Sequence, residues 1–306
     1  MNILIISSNL IGDSILSSGI IKYFIDQNVN SKLTIVVGPS AAQVYKNFPN
    51  LKKIIIINKR KFKLHWFGIW IKCFFSKWDL IVDLRSSFVS HFLLKKSSFI
   101  FKHSKDSHQI HQLTDFFKLK NVAHPIIFNS EAEEKNARNR LLSDKKYIVV
   151  SPGGNWFPKI WPVENFNRLL RILFNLNKNL IIILVGSDYD VKFRKDLTKN
   201  IDNRAIIDLM GENVTQTHSF MKRSNLFIGN DSGLMHLSAA ANIPTIGLFG
   251  PTNDIIYSPF GEKCSIIRTN ETYEDFSRIN IDINKSYMHS IKVEDVVDII
   301  KNKNLI

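Results

Sequence analysis

Cysteine is nearly absent from this chain. Cys73 and Cys264 are the two in 306 residues, far apart and in no CxxC pattern. A disulfide framework or a thiolate zinc site is therefore not expected, which suits a reducing, cytoplasmic setting. Acidic residues are few beside basic ones, 27 against 41, so the formal net charge is +14 and the pI about 9.6. No uninterrupted apolar run reaches the roughly 18 residues that a membrane span needs. The N-terminus, MNILIISSN, has no basic region before its apolar run and no A-x-A site, so it reads as a first strand and not as a signal peptide. Neither G-x-x-x-x-G-K-[ST] nor G-x-G-x-x-G occurs, so neither a P-loop NTPase nor a dinucleotide enzyme is supported.

What the chain does contain is ample for a core: 44% hydrophobic residues over a length that usually forms two domains. The basic excess points to an anionic partner, either a phosphate-bearing substrate, nucleic acid or an acidic membrane surface. A general Lys/Asn/Ile bias of composition accounts for part of it. Apolar runs alternate with helical patterns from the start. Strands are expected at Asn2 to Ser7, Lys32 to Val37, Lys53 to Ile57 and Trp78 to Leu84, with a helix from Ser14 to Phe24 and another from Ala41. This β-α rhythm implies a parallel, doubly wound sheet. It restarts after a polar helix, SEAEEKNARNRLLS (130–143), with strands at 147–150, 180–185 and 205–208 and helices at 163–174, 191–199 and about 215–223. The boundary is expected near 128–146, giving an N-terminal domain 1–140 and a C-terminal domain 141–306. The final helix, about 292–301, could return toward the first domain.

Two basic stretches lie in the first half. KRKFKLHWFGIWIKCFFSK (59–77) mixes basic residues with tryptophan and phenylalanine. It reads as a crossover helix with snorkelling lysines or as a helix lying in a membrane interface. A single-stranded nucleic-acid platform fits less well, because no RNP-like strand accompanies it. The stretch 88–114 carries Lys95, Lys96, Lys102, Lys105, His91, His103, His108 and His111. The histidines do not have metal-ligand spacing with carboxylates, so no metal site is expected. A solvated basic face is the plain reading, and a phosphate- or carboxylate-binding wall the functional one.

Candidate chemistry gathers in loops that follow expected strands, at the end of an open α/β sheet where ligands bind. The loop SPGGNWFPKIWP (151–162) offers Gly153, Gly154, Asn155 and Lys159, close backbone and a cation for a phosphate. Asp188 and Asp190 could accept from ribose hydroxyls. NLFIGNDSGLMHLSAAANIPTIGLFGP (225–251) reads as strand, polar turn, short helix and strand, with Asp231, Ser232 and Gly233 at the helix start and His236 one turn in. Free N–H groups and the helix dipole favour an anion there, although an ordinary capped helix has the same pattern. In the first half, Asp13 follows the first strand, where a carboxylate is either a helix N-cap or a general base.

ILIISSNLIGDSILSSGIIKYF, SPGGNWFPKIWPVENFNRLL, GNDSGLMHLSAAANIPTIGLFGPTN and the closing segment 286–300 resemble, in this order, the motifs of the bacterial ADP-heptose:lipopolysaccharide heptosyltransferases, glycosyltransferase family 9. The resemblance covers nearly the whole chain. The family's Thr after the Asp of the third motif is Ser232 here, which keeps the hydroxyl, and 262–282 departs from the family pattern. The resemblance implies a GT-B fold, two Rossmann-like domains with the active site in the cleft, and inverting, metal-independent transfer of heptose from ADP-heptose with no cofactor. By position, Asp13 would be the base. Lys159, Asp231, Ser232 and Gly233 would hold the diphosphate with His236 nearby, alongside Gly154 and Asn155. Asp188 or Asp190 would hold the ribose, and Met210 with Gly211 would border the adenine. The implied acceptor is an acidic glycolipid of the lipopolysaccharide inner core, met peripherally at the cytoplasmic face of the inner membrane, with no nucleic acid involved. A nucleotide-sugar epimerase on the same fold and a non-catalytic nucleotide- or membrane-binding homologue are the alternatives.

Overall fold

The computed structural model describes residues 1–58, 65–104 and 106–306. Lys59 to Leu64, which open the basic aromatic segment 59–77, and Lys105 lie outside the described residues. The chain divides into two compact units, Met1–Phe128 and Asn129–Ile306.

In the first unit the strands are β1 (Asn2–Ile6), β2 (Lys32–Val37), β3 (Leu51–Ile56), β4 (Trp78–Asp83) and β5 (Lys95–Ile100), all parallel, in the order β3-β2-β1-β4-β5. The helices are α1 (Ile11–Leu16), α2 (Ser18–Asp26), α3 (His65–Phe74) and α4 (Gln109–Phe116). The central strand β1 is apolar from Ile3 to Ile6, all fully buried, because both of its faces are covered. Two expectations change here. The helix expected over Ser14 to Phe24 is two helices, broken at Ser17, and the first begins early enough to contain Asp13. The basic stretch 88–114 also hides β5. KKSSFI lacks an apolar pattern because it is an edge strand bonded on one side to β4.

The second unit has β6 (Lys146–Ser151), β7 (Leu180–Gly186), β8 (Ile206–Met210), β9 (Leu226–Asn230), β10 (Thr245–Phe249) and β11 (Cys264–Arg268), parallel in the order β11-β10-β9-β6-β7-β8. Its helices are α5 (Glu131–Arg140), α6 (Val163–Leu176), α7 (Arg194–Leu197), α8 (Val214–Met221), α9 (Gly233–Ala240), α10 (Asp254–Tyr257), α11 (Tyr273–Ser277) and α12 (Val293–Asn302). The unit begins at Asn129, earlier than the expected 141, because α5 belongs to it. That helix has almost no apolar face and is held to α8 by polar bonds instead. Thr215 Oγ1 donates to Glu133 Oε1 at 2.6 Å, and Lys222 and Arg223 both pair with Glu134 at 2.7 Å. The final helix buries Val293, Val296, Val297 and Ile300 in the same cluster as Phe166, Leu169, Leu170 and Leu173 of α6. Its apolar face is thus covered inside the second unit, whereas the sequence left open a return toward the first.

Charge is divided unevenly. There are 18 basic and 6 acidic residues up to Phe128, against 23 and 21 from Asn129 onward, a formal +12 against +2. Cys73 and Cys264 are free thiols in different units, each pushed up to about 11 by burial.

Candidate active site

Each sheet has a point where strand order reverses, and ligands of open α/β sheets bind beside it. In the second unit it lies between β6 and β9. The loop after β6 and the turn after β9 therefore emerge side by side. The β6 loop is strapped down by Asn230, the last residue of β9. Its Nδ2 donates to Pro152 O at 2.8 Å and Gly153 O at 3.1 Å, and its Oδ1 accepts from Trp161 N at 3.0 Å. From the other side, Tyr287 N donates to Pro158 O, Ser286 Oγ to Ile160 O, and Trp161 Nε1 to Ile291 O. A short 3-10 turn, Phe157–Lys159, then aims Lys159 at the end of β9. Lys159 Nζ sits 3.2 Å from Asp231 Oδ2, with side-chain exposures of 11% and 9%. In so dry a place each charge depends on the other. Asp231, expected to help hold a diphosphate, has its carboxylate on Lys159.

Ser232 is the N-cap of α9, in extended conformation, but its side chain makes no cap bond. Its Oγ is buried without a hydrogen-bond partner among the described residues, as is Oγ1 of Thr252 in the loop after the neighbouring β10. Buried hydroxyls in this state are uncommon in folded proteins. His236 is buried one turn into the helix, its N–H on Ser232 O at 3.4 Å. Gly154 and exposed Asn155 lie in the strapped β6 loop before Lys159.

Asp188 and Asp190 separate into two kinds of residue. Asp190 is buried and turned into its own loop, where Oδ2 accepts from Ser187 N at 2.8 Å and Ser187 Oγ at 2.7 Å. Its carboxylate also lies where a Cβ on Gly153 would stand, 2.0 Å from Oδ1, so residue 153 must be glycine for this loop to close. Asp188 is exposed, and its Oδ1 lies against Gly211, whose φ of +84° favours glycine. Met210 is half-buried at the end of β8 beside it. Among the described residues no group of three or more His, Cys, Asp and Glu could hold a metal ion.

In the first unit the reversal lies between β1 and β4, and a cavity of about 350 Å³ opens there. Ser8, Asn9, Asp13, Arg85, His103 and Gln109 line it. Asp13 is in the first turn of α1, with Ser8 Oγ donating to its Oδ2 at 2.8 Å. Arg85, just past β4, donates from Nη1 to Asn9 Oδ1 at 2.9 Å. Burial pulls its guanidinium below its ordinary value, against the opposing fields of Asp83 and Asp13. His103 Nδ1 lies 3.2 Å from Gln109 Oε1. Sequence reasoning missed Arg85, Asn230 and Thr252. Arg85 stood in no motif, although its place after a buried strand was a signal, and Asn230 passed for an ordinary turn residue.

Lipopolysaccharide heptosyltransferase 3 of Escherichia coli K12 is 25% identical over 152 residues, 49% of this chain and 44% of its own length. So the chain matches less than half of that relative. Lipooligosaccharide heptosyltransferase 2 of Campylobacter jejuni serotype O:2 is 27% identical over 283 residues, 85% of this chain and 84% of its own. The solved structure of E. coli heptosyltransferase WaaC with ADP superposes with a TM-score of 0.73 at 17% identity, covering 99% of both chains, and so shares the GT-B fold of two parallel α/β units. The model of glycosyltransferase family 9 (heptosyltransferase) matches residues 87–286, well over half of the sequence, and the chain belongs to that family of glycosyltransferases.

Proposed function

We propose that this chain is an inverting heptosyltransferase that moves a heptose from ADP-heptose to an acidic, lipid-anchored saccharide of the lipopolysaccharide inner core, working peripherally at the cytoplasmic face of the inner membrane. The observation that carries the reading is the buried Lys159–Asp231 pair beside the start of α9, where Ser232 Oγ has no partner among the described residues. A cation, a free hydroxyl and helix N–H groups at one spot suit a diphosphate. The WaaC structure, with its ADP, supports an adenine nucleotide.

In this reading the acceptor hydroxyl oxygen attacks the anomeric carbon of the heptose and its proton passes to Asp13. The bond from that carbon to the β-phosphate oxygen breaks, and the electron pair leaves with ADP. Charge growing on the phosphate meets Lys159, the Ser232 hydroxyl and the first N–H groups of α9, so the protein supplies the electrostatic stabilisation and the proposal includes no metal or cofactor. Asp231 holds the Lys159 ammonium in place. Gly154 and Asn155 bring backbone close to the phosphates, and His236 supports the turn from within α9. Asp188 accepts from the ribose, Met210 and Gly211 border the adenine, and Asp190 keeps the loop closed without touching the donor. Arg85 meets an acidic group of the acceptor beside Asp13.

Asp13→Asn should lower turnover with ADP-heptose by about 10²–10⁴-fold, the usual worth of a general base. The thermal shift caused by ADP should not change. Unchanged turnover would remove Asp13 from this role, and equal stabilisation by UDP or GDP would overturn the choice of nucleotide.

A further inference from the structure

One large surface feature takes no part in the proposed reaction. The inner face of α3 packs Ile69 and Cys73 into the first unit's core, with Trp66, Trp70 and Phe74 half-buried against it. Its outer face carries Phe67 and Ile71, and Phe75 lies just past its last turn. Beside it, the 3-10 turn Phe88–Phe92 and the residues after it expose Phe88, Phe92 and Leu94. These six side chains are between 45% and 88% exposed, Phe75 and Phe88 most of all. Phe67, Phe75, Phe88 and Phe92 are joined through Trp70 and Phe74, with Ile71 on the same helix and Leu94 just past Phe92. The Trp70 ring stacks with Phe67 at 5.8 Å and meets Phe74 at 4.5 Å, and its Nε1 donates to Phe92 O at 3.0 Å. Phe88 and Phe92 meet at 4.7 Å, Phe74 and Phe75 at 5.3 Å. Lys72 and Lys77 stand exposed in the same segment, and Lys95 reaches back to His91 O at 3.3 Å.

We propose that this patch is a docking surface for a bilayer containing anionic phospholipid, with Phe67, Ile71, Phe75, Phe88, Phe92 and Leu94 entering the headgroup region and Lys72, Lys77 and Lys95 facing the lipid charge. Contiguous exposed aromatics on a protein surface mark a contact site. Long basic side chains around an apolar face are the pattern of a segment that lies in the interface plane. Charge selects the occupant. The first unit carries a formal +12, which draws it to an anionic surface and repels a second copy of itself. Docking is shallow, since no described helix is long and apolar enough to cross a membrane. The inference deepens the proposed function by naming the surface through which a lipid-anchored acceptor is approached, and it rests on that function only for its purpose.

The test is co-sedimentation of the full chain with vesicles of phosphatidylethanolamine, with and without roughly one-third phosphatidylglycerol. Wild type should pellet with the anionic vesicles, less so as salt is raised. Phe75→Ser with Phe88→Ser should cut partition by about tenfold or more. Both side chains are exposed, so melting temperature and ADP binding should stay unchanged. The double variant should keep transfer to a delipidated, water-soluble acceptor and lose it to an acceptor held in vesicles. Equal pelleting of wild type and variant overturns the proposal. So does a wild type that ignores vesicles but self-associates through the patch. Vesicle binding by a wild type that transfers to neither acceptor would instead sink the heptosyltransferase reading and leave the docking surface standing.

Discussion

The two units share a parallel α/β plan and differ in how they finish it. The second is close to charge balance, and its site loops are closed by buried polar bonds. Asn230 ties two elements together, Asp190 caps its own turn, and Lys159 answers Asp231. The first carries most of the net charge, leaves six large apolar side chains around α3 and the turn 88–92 in the open, and lines its cavity with charged and polar groups, Asp13, Arg85 and His103 among them. A site whose loops are held rigid, with donors such as the Ser232 hydroxyl left for a ligand, suits a small ligand with fixed charges, because pre-ordered donors cost nothing to arrange at binding. An open, charged one suits a large and variable ligand. In the proposed reading, the difference lets one fold meet two kinds of ligand by changing the loops at the ends of its strands.

That contrast can be broken most forcefully at Lys159. Lys159→Met leaves Asp231 as an uncompensated buried charge and should cost about 3–5 kcal/mol of stability, together with most of the ADP affinity. Adding Asp231→Asn should restore much of the stability, read by denaturant unfolding, and none of the affinity. If both return, the pair is architectural only.

A pH titration sharpens the comparison next. His218 on α8 is buried, with Nδ1 on Asn129 Oδ1 at 2.7 Å, and is pulled down to about 4, first by burial and then by the charge of Lys222. The folded value lies below the unfolded one. The contribution is therefore present above about pH 6.5 and lost as pH falls through about 4, at most about 3 kcal/mol. His218→Gln should remove that loss from a stability profile between pH 7 and 4. An unchanged profile would place the acid sensitivity elsewhere.

The smallest effect is expected at Ser232. Its hydroxyl bonds to nothing among the described residues, so Ser232→Ala should leave the melting temperature nearly unchanged. ADP affinity, read by calorimetry, should fall about tenfold, the worth of one hydrogen bond to a charged group. A drop in stability with affinity intact would mean that the hydroxyl serves the fold.

Much of the second unit was legible in the sequence because its signals are local. A continuous apolar run, then Asn-Asp-Ser-Gly, then an alanine-rich stretch closed by Asn242 gives β9, the turn, α9 and β10, and Asn242 does adopt a left-handed φ of 58°. The edge strands β5 and β11 were illegible because a strand covered on one side needs no unbroken apolar pattern. The first unit's site was only half legible. Asp13 could be placed after β1, but Arg85 joins it through strand order, and no local pattern reports that β4 lies beside β1.

The sequence by itself determined the α/β class, the loops at the strand ends and the basic first half, since periodicity, turn chemistry and charge depend on neighbours in the chain. Tertiary structure alone decided which carboxylates are engaged. Asp188 and Asp190 look alike in sequence, yet one is exposed and the other is buried in its own cap against Gly153. It likewise decided that Asp231 answers Lys159 across 72 positions, and that α3 and the turn 88–92 join into one exposed aromatic surface. The physical reason is common to all three. Burial and partnership are properties of space, and separation along the chain does not encode them.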